Sequence, residues 1–239
     1  MAILLFIILH WYLSGFAQSF FNHRYAAHRM FSMSLFTEKV FFIFSFITAG
    51  SSYMSPYVYG ILHRMHHAYA DTEKDPHSPS FDSNPFSMMW RTYKVFSDIL
   101  NRRIAIENKF TKDLPQWDSF DRFASSLLVK ISWGVIYTIF YIQFATAWWM
   151  FLFLPFHFVI GPLQGIVINW FAHKVGYTNF RINNTSKNLL VIDFLTWGEG
   201  YHNNHHAFSG KVNFAKKWFE VDPVYQVIRF FRLLKIIRI

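Results

Sequence analysis

Two long stretches of the chain contain no charged side chain, and they limit the possible folds more than any other feature. Residues 1–22 and 131–173 have no Asp, Glu, Lys or Arg. A water-soluble domain normally has about a quarter charged residues, whereas this chain has 15%. Because a soluble protein of 239 residues could hardly bury both stretches, we predict that they contact lipid.

The apolar runs predict where the chain crosses the membrane. Residues 3–21 are about as long as the ~20 residues that span hydrocarbon. They lack a preceding basic segment and a convincing cleavage site, so we interpret them as a retained helix. Residues 123–169 are long enough for two crossings with a turn near Ala147 and Trp148. Pro155, Gly161 and Pro162 should kink the second crossing.

A third apolar run, Val40 to Leu62, is predicted to dip into the membrane or lie along it without crossing. Its second half is broken by polar residues and Pro56. If the histidine clusters described below form one centre, His28 and His63 must lie on the same side. The segment between them is too short for the ~40 residues that two crossings require.

These patterns predict an all-α integral membrane bundle of about three to four spans, with a cytosolic helical cap that holds a histidine-rich site for two metals. Residues 1–239 should form a single domain, since no repeat or linker is visible. The net charge of +9 lies largely in basic loops. Such loops predict a cytoplasmic face for the cap, and we expect a bacterial inner membrane. No nucleic-acid recognition module accompanies the charge.

Histidines are concentrated in three clusters. His202, His205 and His206 repeat the i, i+3, i+4 spacing of His63, His66 and His67, so each set shares one helix face. In the other cluster, the i, i+5 spacing of His23 and His28 indicates either approach from different sides or an irregular helix. Neutral imidazole is the commonest metal ligand. We interpret the isolated His10, His77 and His157 as structural.

The supply of ligands favours two metals with four or five ligands each. The eight clustered histidines exceed what one zinc takes, and His173 is the natural ninth. Asn169 lies one turn earlier and could hold a metal-bound water. The chain has no cysteine, which excludes disulfides, thiolate ligands, iron–sulfur clusters and a Cys nucleophile. Few carboxylates lie near the histidine clusters. Four carboxylates could instead hydrogen-bond to the ligating rings: Asp71, Glu73, Asp75 and Glu199.

The clusters resemble the three histidine boxes of the membrane fatty-acid desaturases. These are His23 to His28, His63-Arg64-Met65-His66-His67 and His202-Asn203-Asn204-His205-His206. The longer strings, including Asp75-Pro76-His77 and Gly198-Glu199-Gly200-Tyr201-His202, are similar to the Δ9 acyl desaturase branch. Asn169 to His173 resembles that branch's extra ligand and water-bearing asparagine.

The resemblance implies a centre of two iron ions (Fe2+/Fe3+) and O2 as co-substrate. It also implies that a fatty acyl chain lies in a buried tunnel and that a cis double bond is introduced into this chain. The sequence identifies no tunnel residue. The chain has one helix before the first box, where familiar members have two. Ile61 and Leu62 stand where acyl-CoA-using members carry charges. The carrier, whether acyl-lipid, acyl-CoA or acyl-carrier protein, therefore stays open.

No cytochrome b5-like segment is present, so we expect a separate ferredoxin- or cytochrome b5-like electron donor. Basic residues such as Arg102, Arg103, Lys216 and Lys217 could steer it, although positive loops beside membrane spans explain them better.

Two other functions remain open from the sequence. A hydroxylase on the same scaffold would share the box spacing, and only the longer strings favour desaturation. A membrane metal-binding or transport protein would place ligands near the middle of the spans, whereas these clusters lie at their ends.

Overall fold

The structure is a computed structural model that describes residues 1–239. Almost all regular structure is helical. The α-helices are α1 Ala2–Ala17, α2 Leu35–Ala49, α3 Pro56–Tyr69, α4 Pro85–Leu100, α5 Asn108–Thr111, α6 Asp118–Ala124, α7 Leu127–Phe144, α8 Leu154–Phe158, α9 Ile160–Gly165, α10 Ala172–Lys174, α11 His202–Ala207 and α12 Pro223–Leu233. Two π-helices, Gln18–Ala27 and Ile166–Phe171, and two 3-10 helices, Gly50–Ser52 and Trp148–Phe153, complete the helical structure. One short antiparallel pair joins β1, Ser32–Met33, to β2, Ile237–Arg238.

The first apolar run is a single continuous helix. α1 passes directly into the π-helix Gln18–Ala27, and the 26 residues together are long and apolar enough to cross a membrane. Leu4, Leu5 and Leu9 are exposed along it. Exposed leucines on a helix of this length are explained by contact with lipid acyl chains.

The second apolar run forms a hairpin. α7 has 18 residues and is the second helix that could cross a membrane. The chain turns at residues 145–147, where the sequence predicts the turn. The returning leg consists of Trp148–Phe158 and Ile160–Lys174, which meet at an angle of 68°. Pro155 and Pro162 flank this bend, as expected for residues that cannot continue a helix. The chain thus has two possible spans, or three if the bent pair is one span, and a fourth has no candidate helix.

The third apolar run lies in two shorter helices, α2 and α3, rather than in one straight crossing. α2 is capped at its start by Ser34, whose hydroxyl accepts a hydrogen bond from the Thr37 N–H at 3.1 Å, and at its end by Gly50. Its 15 residues extend about 22 Å, short of the ~30 Å hydrocarbon core. α3 then starts at Pro56, with the Ser55 side chain capping its first turn. This length agrees with a segment that does not cross, and its depth in the membrane stays a prediction.

Two apolar clusters hold the helices that carry the first and second histidine clusters. The larger one packs aromatic rings of the π-helix Gln18–Ala27, including Phe20 and Phe21, against α2 and α12. The smaller one joins α3 to the segment around α4 and α5 through Ile61, Leu62 and Phe110. The first cluster fixes the end of the membrane helix, and the second fixes α3 beside it, so the two histidine-bearing helices are held in place.

Candidate metal centre

The nine predicted histidines converge in two adjacent groups. In each group the candidate ligand atoms all lie within 4.8 Å of one another. The first group contains His23, His28, His63, His67 and His205. The second contains His66, His173, His202 and His206. Residues separated by most of the chain therefore meet at one end of the membrane helices.

Three helices supply the first group. The π-helix Gln18–Ala27 has wider turns than an α-helix, and the His28 N–H bonds to the His23 carbonyl five residues earlier at 3.1 Å. This irregularity is one of the two alternatives that the sequence left open, and it brings both rings to the same group. The Nε2 atoms of His28 and His63 are 2.7 Å apart, and those of His23 and His205 are 3.0 Å apart.

The second group is built from α3, α10 and α11. The Nε2 atoms of His173 and His202 are 3.0 Å apart, and those of His66 and His206 are 3.2 Å apart. Because α3 and α11 each give histidines to both groups, the groups lie side by side. The rings of His67 and His206, one from each group, stack with their centroids 4.4 Å apart.

Burial favours the neutral form in six of these rings. Burial first, and neighbouring histidines second, lower the pKa well below 6.5 for a set of six rings: His28, His63, His67, His202, His205 and His206. A neutral imidazole presents one nitrogen lone pair. The Nε2 atoms that face one another cannot all receive a proton from a partner, and a bound cation would satisfy the converging lone pairs.

The spacing of the nitrogens fits a bound metal. Ligands about 2.0–2.1 Å from an ion lie roughly 3 Å from each other, and the facing Nε2 atoms in both groups have such separations. The residues present therefore fit two nitrogen-liganded ions.

Two of the four predicted carboxylates contact a ligand ring closely. Oε2 of Glu199 lies against Nδ1 of His23, and Oδ2 of Asp75 is 2.9 Å from Nδ1 of His66. Burial by itself would raise the pKa of both carboxyl groups. Their histidine partners instead hold the pKa of Glu199 below its usual value and that of Asp75 at about 2. Such an acceptor fixes the tautomer that leaves Nε2 free for the metal.

The other two carboxylates differ from each other. Asp71 accepts the Thr185 N–H, and its Oδ1 is 3.8 Å from Nδ1 of His173. Glu73 is exposed and contacts no histidine. Its position in the chain beside Asp71 and Asp75 gave no means to tell it from them.

Arg24 supports the first group and was not singled out by the sequence. It is fully buried, with one guanidinium nitrogen 2.7 Å from Glu199 and another 2.8 Å from Asp222. The Phe214 ring lies 3.8 Å from its central carbon. The sequence signal that could have identified Arg24 is its position: it is a cation directly after a box histidine, at the end of an apolar helix.

Other partners of the rings are uncharged side chains in the loop between α10 and α11. Asn184 lies 3.2 Å from Nδ1 of His206, and the Thr185 hydroxyl lies 3.1 Å from Nδ1 of His173. Asn169 lies on the π-helix Ile166–Phe171, half-buried, and its side chain makes no hydrogen bond to another residue. Its proposed water contact stays a prediction.

The three histidines interpreted as structural occupy two places. His77 is buried with its ring 4.4 Å from that of His66, and it forms a further possible ligand group with His66 and Asp75. Burial lowers the pKa of His77 to about 3. His10 and His157 face each other between the membrane helices with their Nδ1 atoms 2.7 Å apart, and neither belongs to the two groups.

Comparisons with known proteins agree with this geometry. The sequence model of one family, described as fatty acid desaturase, matches residues 1–229. The chain is 30% identical to sn-1 stearoyl-lipid 9-desaturase of Synechocystis sp., over 98% of this chain and 69% of the relative. It is 29% identical to Delta-9 desaturase-like 2 protein of Arabidopsis thaliana, over 93% and 71%. It is 28% identical to Delta-9 acyl-lipid desaturase 2 of Arabidopsis thaliana, over 89% and 66%.

Proposed function

Because the chain belongs to the fatty acid desaturase family, we propose that it is a membrane acyl desaturase that places a cis double bond of the Δ9 type in a saturated acyl chain. The reaction would use O2, two external electrons and two irons. Family membership implies an oxidoreductase acting on fatty acyl chains. The observation that carries the finer proposal is the convergence of nine imidazoles into two groups.

The two groups would each hold one iron. Bound irons would supply the activation of O2 that is needed to remove hydrogen from an unactivated methylene, which no side-chain acid or base can do. The protein holds the neutral ring nitrogens in fixed positions. Glu199 and Asp75 retain the ring N–H groups of His23 and His66, which keeps the free nitrogens directed at the metals.

A cavity beside the first group is the proposed place for the acyl chain. It lies between α1, α2 and α9, and its volume is about 20 Å³, room for one or two water molecules. The side chains that line it would therefore have to move apart to admit an acyl chain. Small residues such as Ala17, Ala49 and Gly161 line it. It extends along the same helix that carries His23 and reaches the neighbouring Asn22. A chain held there would have its methylenes oriented toward the metal groups before reaction.

We propose a lipid-linked acyl substrate. Ile61 and Leu62, which replace the charged residues of acyl-CoA-using members, are buried in the apolar cluster between α3 and α5. They cannot contact a polar nucleotide. Two of the similar proteins are named for acyl-lipid substrates, which supports the same carrier here.

The expected site of action is the cytoplasmic face of a bacterial inner membrane. Basic residues are concentrated in the segments that adjoin the histidine groups, among them Arg102, Arg103 and Lys216. Positive loops remain on the cytoplasmic side during membrane insertion. A separate ferredoxin- or cytochrome b5-like protein would deliver the electrons on that side.

Fatty-acid profiling tests the proposal. The chain is expressed with a ferredoxin or cytochrome b5 system in a host that lacks its own Δ9 desaturase, in the presence of iron and oxygen. We expect products that have lost two hydrogens at the Δ9 position, found first in the membrane lipids rather than in acyl-CoA. The matched His205→Ala variant should give none.

The same profile separates the alternatives. A product that has gained one oxygen instead would identify a hydroxylase. An unchanged profile with both donor systems, from a protein that is present in the membrane and contains iron, would overturn the enzymatic proposal and favour a metal-binding protein.

A further inference from the structure

The C-terminal segment, residues 223–239, has an apolar surface that no other part of the chain covers. One face of α12 packs inward through Val224 and Ile228, which are buried. Phe231 reaches the membrane helix, with its ring 5.6 Å from that of Phe20. Two large side chains near the end of α12, Phe230 and Leu233, point away from the protein, and Leu233 is 77% exposed.

The same segment carries unbalanced positive charge. Residues 223–239 contain no Asp or Glu, and their four cations are all exposed: Arg229, Arg232, Lys235 and Arg238. The two acidic residues just before α12 are buried and already occupied, since Asp222 pairs with Arg24 and Glu220 accepts the Lys216 and Lys217 N–H groups. The cations therefore have no carboxylate partner within the chain.

The geometry of α12 separates these two kinds of side chain. At 100° per residue, Phe230 and Leu234 fall on one flank of the buried face, whereas Arg229 and Arg232 fall on the other. Leu233 projects directly away from the core. A helix with one apolar flank and one basic flank is typical of a segment that lies in the plane of a membrane interface.

The apolar surface of the segment continues onto the membrane helices. β2 pairs with β1, which places Ile237 opposite Met33 directly before α2. Leu35 and Phe36 at the start of α2 are exposed, Phe36 by 79%. Further along α2, Val40, Ile43 and Ile47 are exposed as well. The surface of the C-terminal segment is thus contiguous with a face that is explained by lipid contact.

We propose that residues 223–239 lie in the headgroup layer of the bilayer and bind anionic phospholipid. Leu233, Leu234 and Phe230 enter the acyl boundary, and the four cations contact lipid phosphates. Long basic side chains reach phosphates while their stems remain apolar. Each cation near an anionic surface contributes roughly a fivefold preference for that surface. The segment would tie the cap that holds the third histidine cluster to the membrane.

The absence of cysteine allows a site-specific test on the full chain. An environment-sensitive fluorophore is attached to the Leu233→Cys variant, and in a second preparation to Leu234→Cys. The control is Glu73→Cys, an exposed position in the loop after the second cluster. Each protein is reconstituted in phosphatidylcholine vesicles with and without phosphatidylglycerol. Quenching by nitroxide-labelled lipid is compared with quenching by iodide.

We expect nitroxide lipid to quench the labels at 233 and 234 and iodide to quench the control. Adding Arg229→Gln and Arg232→Gln to Leu233→Cys should weaken the preference of the C-terminal segment for vesicles with phosphatidylglycerol over vesicles without it, on the order of twentyfold.

Three results would overturn the proposal. Iodide could quench positions 233 and 234 as strongly as the control in both vesicles. The protection of the labels at 233 and 234 from iodide could be the same in both kinds of vesicle and unchanged by the two arginine substitutions. Protection could instead require a second copy, in which case it is lost on diluting the protein in the vesicles, or require an added acidic electron carrier.

Discussion

Glu199 lies between the membrane helix and the third histidine cluster, and it contacts residues from both. Its carboxylate meets Nδ1 of His23, accepts the Ser19 hydroxyl and pairs with Arg24 at 2.7 Å. Replacing it with Gln keeps the shape but leaves the buried Arg24 with one anionic partner, Asp222. The ring of His23 also loses its strongest acceptor. We expect Glu199→Gln to lower metal affinity 10–100-fold, measured by competition with a chelator.

The matched control is Asp98→Asn, which removes a carboxylate from the exposed pair with Arg103. Such exposed pairs contribute little, so its metal affinity should equal that of the wild type. Equal affinities in Glu199→Gln and wild type would show that this carboxylate does not orient His23.

The sequence predicts the ligand rings much better than their partners. Repeated spacing identified the six histidines of α3 and α11, because three like residues on one helix face have no packing explanation. Arg24, Asn184 and Thr185 form no such pattern, and they become partners only because the chain folds residues 24 and 184 onto distant histidines. Glu73 and Glu199 have the same charge in sequence, and only burial distinguishes them.

At the scale of elements, the end of α2 depends on Gly50. Its φ of +56° and ψ of −125° are unfavourable for a residue with a side chain. An added Cβ would also lie 1.7 Å from the Tyr137 hydroxyl, the group that accepts the Ser51 N–H at 3.1 Å. We expect Gly50→Ala to reduce the free energy of unfolding by about 2–4 kcal/mol, measured by thermal unfolding in detergent.

Gly210→Ala is the comparison for this change, because nothing lies within 4 Å of its added Cβ. It should unfold like the wild type. If Gly50→Ala did the same, the turn between α2 and α3 would not be fixed by contact with α7.

The loop between α11 and α12 is held by Glu220. It accepts hydrogen bonds from the Lys217 N–H at 2.9 Å, the Tyr177 hydroxyl at 2.8 Å and the Asn204 amide at 2.9 Å. Burial alone would raise the pKa of this carboxyl group, but the Lys216 and Lys217 N–H groups and the Tyr177 hydroxyl hold it below the usual value. A depressed pKa stabilises the fold fully above the unfolded value of about 4.3, and the contribution is lost as pH falls below it.

We therefore expect the metal-free Glu220→Gln variant to be less stable than the wild type at pH 7 and to lose less stability on acidification from about pH 5 to about pH 3, the range in which a lowered carboxyl pKa acts. Thermal unfolding as a function of pH measures both. Glu73→Gln, at an exposed carboxylate, should follow the wild-type curve. Parallel wild-type and Glu220→Gln curves would assign the acid response to other groups.

Apolar runs predicted the long helices and the hairpin turn because hydrocarbon thickness and missing charge determine both. The π-helix Gln18–Ala27 was left as one of two alternatives. Its extra residue per turn follows from packing against α3, where the Arg64 guanidinium bonds to the Ala27 carbonyl at 2.7 Å. The bend of the returning leg was expected from its prolines, whereas its angle depends on neighbours that the sequence does not identify.

At the scale of the molecule, the fold brings the two candidate ligand groups together, and they share helices but no ligand. α11 gives His205 to the first group and His206 to the second. Single substitutions on one helix turn therefore remove a ligand from one group at a time. We expect the purified wild type to contain about two irons per chain, and His205→Ala and His206→Ala about one each, by elemental mass spectrometry. The double variant should contain almost none.

His10→Gln is the histidine control, since His10 faces His157 between the membrane helices and belongs to no ligand group. Its iron content should stay at about two. Loss of both irons from each single variant would mean that the groups fill only together. That outcome is physically possible because His67 and His206 stack across the boundary between the groups. Loss of one iron apiece would mean that α3 and α11 hold each set of rings in place without help from the neighbouring ion.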